Sequence, residues 1–283
     1  MNLFSMLGKR AEDGNPIRIG MIGAGKFGTM FLSQVRKLGG IHLIGVADLS
    51  PANARSNMEF VGWPPEQFGA PSLDEAARGK TTHVGDDWQA LVAHPAIDII
   101  IECTGAPVAA IDHVLGAFAH GKHVINVTVE ADAFCGYALA RKAAEAGVIY
   151  SMAYGDQPAL TCDLVDWART CGFTVTAAGR GHKWLPEFRK STPETVWDHW
   201  GVTREAAERG RLNPKMFNSF LDGSKPADRV LGNRQCHRSS CAVKRVAVPG
   251  RRRRGSGQHH ATEIRRRGAR AKGHGRGRFG SHA

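Results

Sequence analysis

The chain has 283 residues, of which 42% are hydrophobic, and it carries a formal net charge of +12. This length is enough for two ordinary domains, each with a buried core of its own. No run of roughly 18 or more apolar residues occurs, which excludes a membrane-spanning helix. Residues 1–16 are too short and too acidic for a secretory signal, so we expect a cytoplasmic protein with no membrane partner.

Strands and helices alternate along the first half of the chain. Apolar runs that predict buried strands lie at 17–22, 41–47, 81–84, 97–101, 121–127 and 148–152. Helical patterns between them begin near residues 26, 50, 86, 107 and 131, whereas 62–80 is predicted to be irregular. The first of these helices is predicted to place Phe27, Met30, Phe31, Val35 and Leu38 on one face. The alternation predicts an α/β fold with a doubly wound parallel sheet of the Rossmann type, spanning residues 1–152.

The pattern changes twice beyond residue 152. A helix is predicted at 156–172, a strand at 173–178 and short helices at 195–200 and 204–209, so we interpret 153–226 as a partial α+β substrate domain. Periodicity stops after Pro226, and Arg, Gly and His accumulate over 227–283. Such a composition buries too little apolar surface to offset the entropy of ordering it, so we expect a disordered basic tail.

The excess positive charge lies in this tail. Residues 227–283 hold 14 Arg and 2 Lys against two acidic residues, whereas 1–226 hold 22 basic and 24 acidic residues. Three interpretations stay open: an RNA-binding arm, a zinc site of Cys236, His237, Cys241 and His259, and the product of a shifted reading frame. The abrupt loss of periodicity favours the third, so we expect nucleic acid to bind only non-specifically, through the tail.

A glycine-rich motif joins the first predicted strand to the first helix. Its residues match the GxGxxG pattern and are the candidate cofactor-binding residues Gly23, Ala24, Gly25, Lys26, Phe27 and Gly28. The first glycine allows a tight turn, the second lets backbone approach a pyrophosphate, and the third lets helix and strand pack closely. The helix N-terminus offers N–H groups and a positive dipole to the phosphates. A mere turn is the alternative, but the strand, the helix and the later Asp48 favour NAD or NADP.

Asp48 ends the second predicted strand. Its carboxylate would accept hydrogen bonds from the adenosine ribose, which ordinarily favours NAD. Arg55, a helical turn later, would instead face the 2′-phosphate of NADP. A turn or helix-capping role for Asp48, ahead of Ser50, is the alternative, so NAD and NADP both stay open.

Further candidates follow the fourth and fifth predicted strands. Cys103, Thr104 and Gly105 are predicted to bind the ribose and nicotinamide side of the cofactor. Cys103 is expected to be a small buried group there rather than a nucleophile. Glu130 and Asp132 follow the next strand at the same sheet edge. They would bind substrate hydroxyls or a divalent ion, or else cap the following helix.

The remaining catalytic candidates lie in the second region. Lys183, in a segment rich in Gly and positive charge, would orient an acidic or phosphorylated substrate. Asp222 and Lys225 place a carboxylate and an ammonium three residues apart, as partners in proton transfer. With Glu130 these residues form the predicted catalytic set. Solvated surface lysines, and a turn at 222–225, are the alternatives.

Three segments resemble a known family: 19–28 around the glycine motif, 154–160 (Tyr-Gly-Asp-Gln-Pro-Ala-Leu) and 213–223 (Asn-Pro-Lys-Met-Phe-Asn-Ser-Phe-Leu-Asp-Gly). They are similar to the homoserine-dehydrogenase-like oxidoreductases with a C-terminal SAF domain. Within that group they resemble the 1-deoxy-D-xylulose 5-phosphate reductoisomerase-like branch of isoprenoid biosynthesis. The resemblance covers the chain to about Pro226. It implies NAD(P)H-dependent reduction of a small, phosphorylated carbonyl substrate, a divalent ion, and a homo-oligomer in the full-length family.

The chain departs from the family at two places. Val129-Glu130 stands where homoserine dehydrogenases usually show an Asn-Lys pair. The family also continues beyond the 222–225 motif into the rest of its substrate domain and the SAF domain, so we interpret this chain as truncated or frameshifted after about residue 226. The leading hypothesis is an NAD(P)-dependent oxidoreductase of the reductoisomerase-like branch. The alternatives are a homoserine dehydrogenase and a product that binds the cofactor without catalysing a reaction.

Overall fold

A parallel sheet lies at the centre of the computed structural model, which describes residues 2–179 and 185–226. Within these residues the sheet has six strands: β1 Ile17–Ile22, β2 Ile41–Ala47, β3 His83–Gly85, β4 Ile99–Glu102, β5 His123–Asn126 and β6 Tyr150–Met152. The strand order is β3-β2-β1-β4-β5-β6, and every neighbouring pair is parallel. The chain starts at the centre and extends to both edges, which confirms the predicted doubly wound topology.

Helices connect the strands, as right-handed crossovers between parallel strands require. Helix α1 Leu3–Glu12 precedes β1, and the connecting helices are α2 Lys26–Val35, α3 Pro51–Phe60, α4 Leu73–Gly79, α5 Trp88–Ala93, α6 Pro107–Ala119 and α7 Val129–Glu145. The α4 helix lies within the stretch predicted to be irregular. Its signals are local, because Ser72 caps it by accepting from the N–H of Glu75, and two acidic residues occupy its first turn.

Apolar side chains cover both faces of the sheet because successive strand residues point to opposite sides. On one face, Ile19 and Met21 belong to a buried cluster with residues of α2 and α3. On the other face, Ile22 and Ile100 belong to a cluster with residues of α5, α6 and α7. Full burial of one such side chain stabilises the fold by about 1.5–3 kcal/mol.

The buried face of α2 differs from the predicted one. Val35 is buried as predicted, but Phe27 and Met30 are 42% and 52% exposed, and the helix buries Gly28 and Leu32 in their place. The reason is the close approach of Gly28 to the loop before it, described below. This contact sets the rotation of the helix, and residues four and seven positions later share the same face.

The strand register brings the loops of the sheet to one edge. Ile22 pairs with Ala47 and with Glu102, Glu102 pairs with Asn126, and Asn126 pairs with Met152. Ala47 also pairs with Gly85, so all six strands end at the same level. The residues that follow them meet at this carboxyl edge, where doubly wound sheets bind ligands.

Helices follow β6 in the described part of the chain: α8 Gln157–Thr170, α9 Val196–Trp200, α10 Arg204–Arg209 and α11 Pro214–Leu221, with a 3₁₀ turn at Pro186–Lys190. The last of them share a small core of Phe188, Val196, Trp197, Ala207 and Leu221. The predicted strand at 173–178 is wrong, since these residues have no regular secondary structure. They pair with no strand among the described residues, and a lone strand leaves its backbone groups without partners.

Some predictions fall outside the described residues. Lys183 lies in the segment 180–184, and the predicted tail occupies 227–283. Within the part of the chain that the structure describes, no helix is both long and apolar enough to cross a bilayer.

Candidate cofactor and active site

The glycine loop connects β1 to α2 and crosses the carboxyl end of β4. Gly23 has a φ of +94°, and a Cβ there would lie 2.9 Å from the backbone of Cys103 and Thr104. A Cβ on Gly28 would lie 2.7 Å from the carbonyl oxygen of Gly23. Contacts within the protein therefore require the first and third glycines of the motif.

Gly25, the middle glycine, faces open space. No heavy atom lies within 4 Å of the position that its Cβ would take. Gly25 is also the N-cap of α2, and no side-chain hydrogen bond caps this helix. The N–H groups and positive dipole end of α2 thus lie beside an open surface, a geometry that fits the pyrophosphate of a dinucleotide.

Asp48 links the glycine loop to the start of α3. Its Oδ2 accepts from the N–H of Ala24 at 2.7 Å, and its Oδ1 accepts from the N–H of Ser50 at 2.9 Å. The turn role considered for Asp48 is therefore present. Each oxygen keeps a second lone pair that a ribose hydroxyl can use. Arg55, in contrast, donates to the carbonyl of Val84 on β3 at 2.9 Å.

Cys103 lies beneath the glycine loop. Its side chain is 7% exposed, and Sγ donates to the carbonyl of Gly23 at 2.8 Å. Burial, and then the charges of Glu102 and Asp48, raise the pKa of this thiol. A thiol that stays protonated is a poor nucleophile, so the surroundings of Cys103 favour the predicted packing role.

A buried carboxylate supports the loop after β4, and the sequence analysis missed it. Glu102 is 0% exposed. Its oxygens accept from the hydroxyls of Thr104, at 2.5 Å, and Thr128, which itself accepts from the N–H of Gly105 at 3.0 Å. These bonds fasten the exposed turn at Thr104 and Gly105 to the segment after β5. The sequence does hold a signal for this group, because Glu102 is a carboxylate at the end of an apolar strand. A carboxylate that is buried there needs hydrogen-bond donors nearby.

Asp132 belongs to a second buried group of polar residues. Tyr150 donates from its hydroxyl to Oδ1 of Asp132 at 3.1 Å and accepts from Nδ2 of Asn126 at 2.9 Å. Burial raises the pKa of Asp132, although the hydrogen bond from Tyr150 opposes this effect. Both residues line a cavity of about 340 Å³ between α7, β6 and α8. From the sequence, a substrate hydroxyl was one expected partner of Asp132. In the structure, the hydroxyl of Tyr150 bonds to Asp132 instead.

Two of the four predicted catalytic residues come together at the carboxyl edge. Nζ of Lys225 donates to Oε1 of Glu130, and the side chains are only 17% and 28% exposed. Oε2 of Glu130 is buried and has no hydrogen-bond partner among the described residues. Asp222 instead accepts from the hydroxyl of Ser224 at 2.7 Å and from Asn218 at 3.1 Å. The ammonium of Lys225 thus pairs with Glu130 and not with Asp222, the partner that spacing suggested.

Residues after α10 reach back to the glycine loop, another contact that the sequence analysis missed. Nζ of Lys26 donates to the carbonyl of Gly210 at 2.7 Å. Arg211 donates from Nη1 to Oδ1 of Asn57 at 2.9 Å, and Nδ2 of Asn57 donates to the carbonyl of Ala24 at 2.9 Å. The segment at 210–211 is therefore tied to both ends of the glycine loop.

The described residues contain no group of three or more His, Cys, Asp or Glu side chains arranged to hold a metal ion. Glu130 and Asp132, the acidic residues considered for a divalent ion, bond to Lys225 and Tyr150.

Two family models match consecutive parts of the chain. Residues 20–152 match the model described as "Homoserine dehydrogenase, NAD binding domain". Residues 155–228 match the model described as "Oxidoreductase DRL, catalytic domain". No curated protein matches the chain at a significant level.

The chain is also similar to solved structures of dehydrogenases and reductases. A homoserine dehydrogenase from Thiobacillus denitrificans shows 21% identity and a TM-score of 0.37 over 51% of this chain and 30% of that protein. A biliverdin reductase from Synechocystis, solved with biliverdin and NADP+, shows 20% identity and a TM-score of 0.36 over 55% of this chain and 42% of that protein. A scyllo-inositol dehydrogenase from Lactobacillus casei shows 19% identity and a TM-score of 0.35 over 54% of this chain and 42% of that protein. The chain spans less than half the length of each of these proteins.

The two family matches agree with the site. The glycine loop lies within the residues that match the NAD-binding domain, and the residues that match the catalytic domain begin just after β6. The two matched parts of the chain therefore resemble an NAD-binding domain and an oxidoreductase catalytic domain.

Proposed function

We propose that the chain binds NAD(P) along the glycine loop and exchanges a hydride between the nicotinamide and a small hydroxy or carbonyl substrate. When bound, the nicotinamide supplies or takes up the hydride, and reduction of a carbonyl to an alcohol also consumes one proton. The open surface at Gly25 and the uncapped start of α2 support cofactor binding. Asp48 adds acceptor oxygens for the ribose next to the same loop.

The ion pair of Lys225 and Glu130 is the observation that carries the catalytic half of the proposal. Glu130 follows Thr128, which holds the turn at Gly105 on the predicted nicotinamide side. In this proposal Lys225 donates a proton to the alkoxide that develops on the substrate, and Glu130 holds the ammonium of Lys225 in place. The buried Oε2 of Glu130 has no partner within the described residues, which suits a hydrogen bond from a substrate hydroxyl.

For the substrate we propose a small phosphorylated hydroxy-carbonyl compound of the 1-deoxy-D-xylulose 5-phosphate type. The resemblance of 154–160 and 213–223 to the reductoisomerase-like branch supports this choice. Homoserine is the alternative substrate, and the Val129-Glu130 sequence in place of an Asn-Lys pair speaks against it. Lys183 stays in the proposal as a group that orients the substrate, and Asp222 stays as a group that supports proton transfer.

Four further expectations belong to the same proposal. We propose a boundary between cofactor and substrate regions at residues 152–153, a cytoplasmic location and a homo-oligomer in the full-length family. The fourth expectation is that activity depends on a divalent ion, which is tested by measuring activity with and without EDTA.

The decisive experiment compares Lys225→Gln and Glu130→Gln with the exposed Lys215→Gln as the matched control. NADH and NADPH binding is followed by fluorescence titration, and turnover is assayed with deoxyxylulose phosphate and with homoserine. We expect the first two variants to bind the cofactor normally and to lose turnover by roughly 100-fold or more, the usual range for general acid–base groups. The control should keep both properties.

The outcomes separate the two halves of the proposal. No saturable binding of either dinucleotide would refute the cofactor half. Cofactor binding without turnover of either substrate by the unmodified chain would instead support the alternative of a binding protein without activity.

A further inference from the structure

We propose that Arg211, which lies after α10 and outside the sheet, binds a phosphate group of the dinucleotide. This inference rests on the proposed cofactor site and extends it. It makes the segment after α10 part of the nucleotide site, although the glycine motif and Asp48 give no hint of this contribution.

The position of Arg211 is the first argument. Its Nη1 donates to Oδ1 of Asn57 at 2.9 Å and lies 3.3 Å from both the carbonyl and the hydroxyl oxygen of Ser56. The guanidinium carbon lies 4.5 Å from the centre of the Phe60 ring. The cation is therefore held over α3, the helix that begins just after Asp48, by four contacts with that helix.

The link to the glycine loop is the second argument. Asn57, which accepts from Arg211, donates to the carbonyl of Ala24, whose own N–H donates to Asp48. The neighbouring Gly210 accepts from the ammonium of Lys26, the first residue of α2. Arg211 is thus linked through Asn57 to Ala24, and Gly210 is bonded to Lys26, so the two residues on either side of the open Gly25 both connect to the segment 210–211.

The state of the guanidinium is the third argument. Arginine has five N–H donors, and the partners of Arg211 in the described residues are neutral oxygens bonded through Nη1. Its Nε and Nη2 groups donate no hydrogen bond within the described part of the chain. A planar cation with donors to spare is the side chain that binds phosphate best.

Arg55, the cation that the sequence suggested for a 2′-phosphate, is a weaker candidate. It donates from Nη2 to the carbonyl of Val84 on β3. Arg55 is also partly buried, whereas Arg211 is exposed and therefore more open to a ligand.

The backbone of Arg211 is also unusual. Its φ of +46° lies in the left-handed region that non-glycine residues rarely adopt. A glycine at this position would adopt the same conformation without strain. The arginine therefore adopts a conformation that glycine would adopt more easily, and such strained residues cluster at functional sites.

The test measures dissociation constants of NADPH and NADH for the full chain and three variants. Arg211→Gly removes the guanidinium and its contacts with α3 but relieves the backbone, and urea denaturation of this variant checks that it is folded before binding is compared. Arg211→Lys keeps a charge without the planar fork. Arg209→Ala is the matched control, because it removes an exposed positive charge two residues away.

We expect Arg211→Gly to weaken binding roughly 10- to 100-fold, as loss of a charge-assisted hydrogen bond does. Arg211→Lys should lie in between, and Arg209→Ala should change binding by less than about twofold. Weakening of NADPH alone would assign Arg211 to the 2′-phosphate, and equal weakening of NADH would assign it to the pyrophosphate.

Two results would overturn the inference. One is unchanged affinity for both dinucleotides in Arg211→Gly, and the other is an equal loss in Arg209→Ala, which would show a general charge effect. Failure of the unmodified chain to bind either dinucleotide would be distinct from both, because it removes the proposed function itself.

Discussion

At the scale of single residues, the three glycines of the loop do different things for different physical reasons. Gly23 and Gly28 are required by neighbouring backbone atoms at 2.9 and 2.7 Å from their missing Cβ atoms. Gly25 has no neighbour within 4 Å. The folded protein alone does not explain the middle glycine, whereas a ligand that approaches the backbone does.

This difference predicts opposite behaviour for two alanine substitutions. Gly28→Ala should lower the free energy of unfolding by about 1–3 kcal/mol, because the new methyl group overlaps the carbonyl of Gly23. Gly25→Ala should leave the free energy of unfolding nearly unchanged and weaken dinucleotide binding. Urea denaturation and fluorescence titration of NADPH measure the two effects. Equal stability loss in both variants would contradict the assignment of Gly25 to the ligand.

At the scale of elements, the sheet is held together at both ends of its strands. The carboxyl edge carries the buried Glu102 group described above. Near the amino end, Arg18 of β1 donates to Asp98, the residue before β4, at 2.7, 3.0 and 3.1 Å. Burial by itself would raise the pKa of Asp98, but the hydrogen bonds and charge of Arg18 lower it below its ordinary value.

This ion pair predicts a stability effect that depends on pH. A lowered carboxylate pKa contributes stability that is complete above the unfolded pKa of about 3.9 and is lost as pH falls through the folded pKa. Asp98→Asn should therefore lower the free energy of unfolding by about 0.5–1 kcal/mol at pH 7, a value limited by exposures of 41% and 35%. The difference should shrink below about pH 4. Urea denaturation at several pH values measures it, and a difference independent of pH would count against this account.

At the scale of the whole molecule, the charge is divided unevenly along the chain. Residues 1–226 hold 22 basic and 24 acidic side chains, whereas 227–283 hold 16 basic and two acidic ones. The described contacts that form the cofactor site all lie within 1–226. Cofactor binding and binding to polyanions should therefore depend on different parts of the chain.

Deletion of 227–283 tests this separation. The full chain should be retained on immobilised RNA with an affinity that falls steeply with salt, because Arg and Lys release counterions from phosphates. The shortened chain should pass through, while its affinity for NADPH stays within about twofold. Retention that survives the deletion would show that the tail does not carry the binding.

Local sequence patterns were enough to predict much of the fold. Apolar runs located all six strands to within a few residues, and the strand, glycine loop and helix at 17–35 predicted the cofactor domain. Two predictions about the fold failed, the second of them in part, where tertiary contacts decide. The strand at 173–178 has no partner among the described residues, and the buried face of α2 is set by the contact of Gly28 with Gly23.

The chain order of the elements, the glycine loop and the position of Asp48 were determined by the sequence itself, because periodicity and turn residues act over a few neighbouring positions. Only the tertiary structure decided which distant side chains meet. Lys225 pairs with Glu130 across 95 positions, and Arg211 bonds to Asn57 across 154. Such contacts follow from the strand register and from how helices after β6 pack on the sheet domain, and neither is encoded in local spacing.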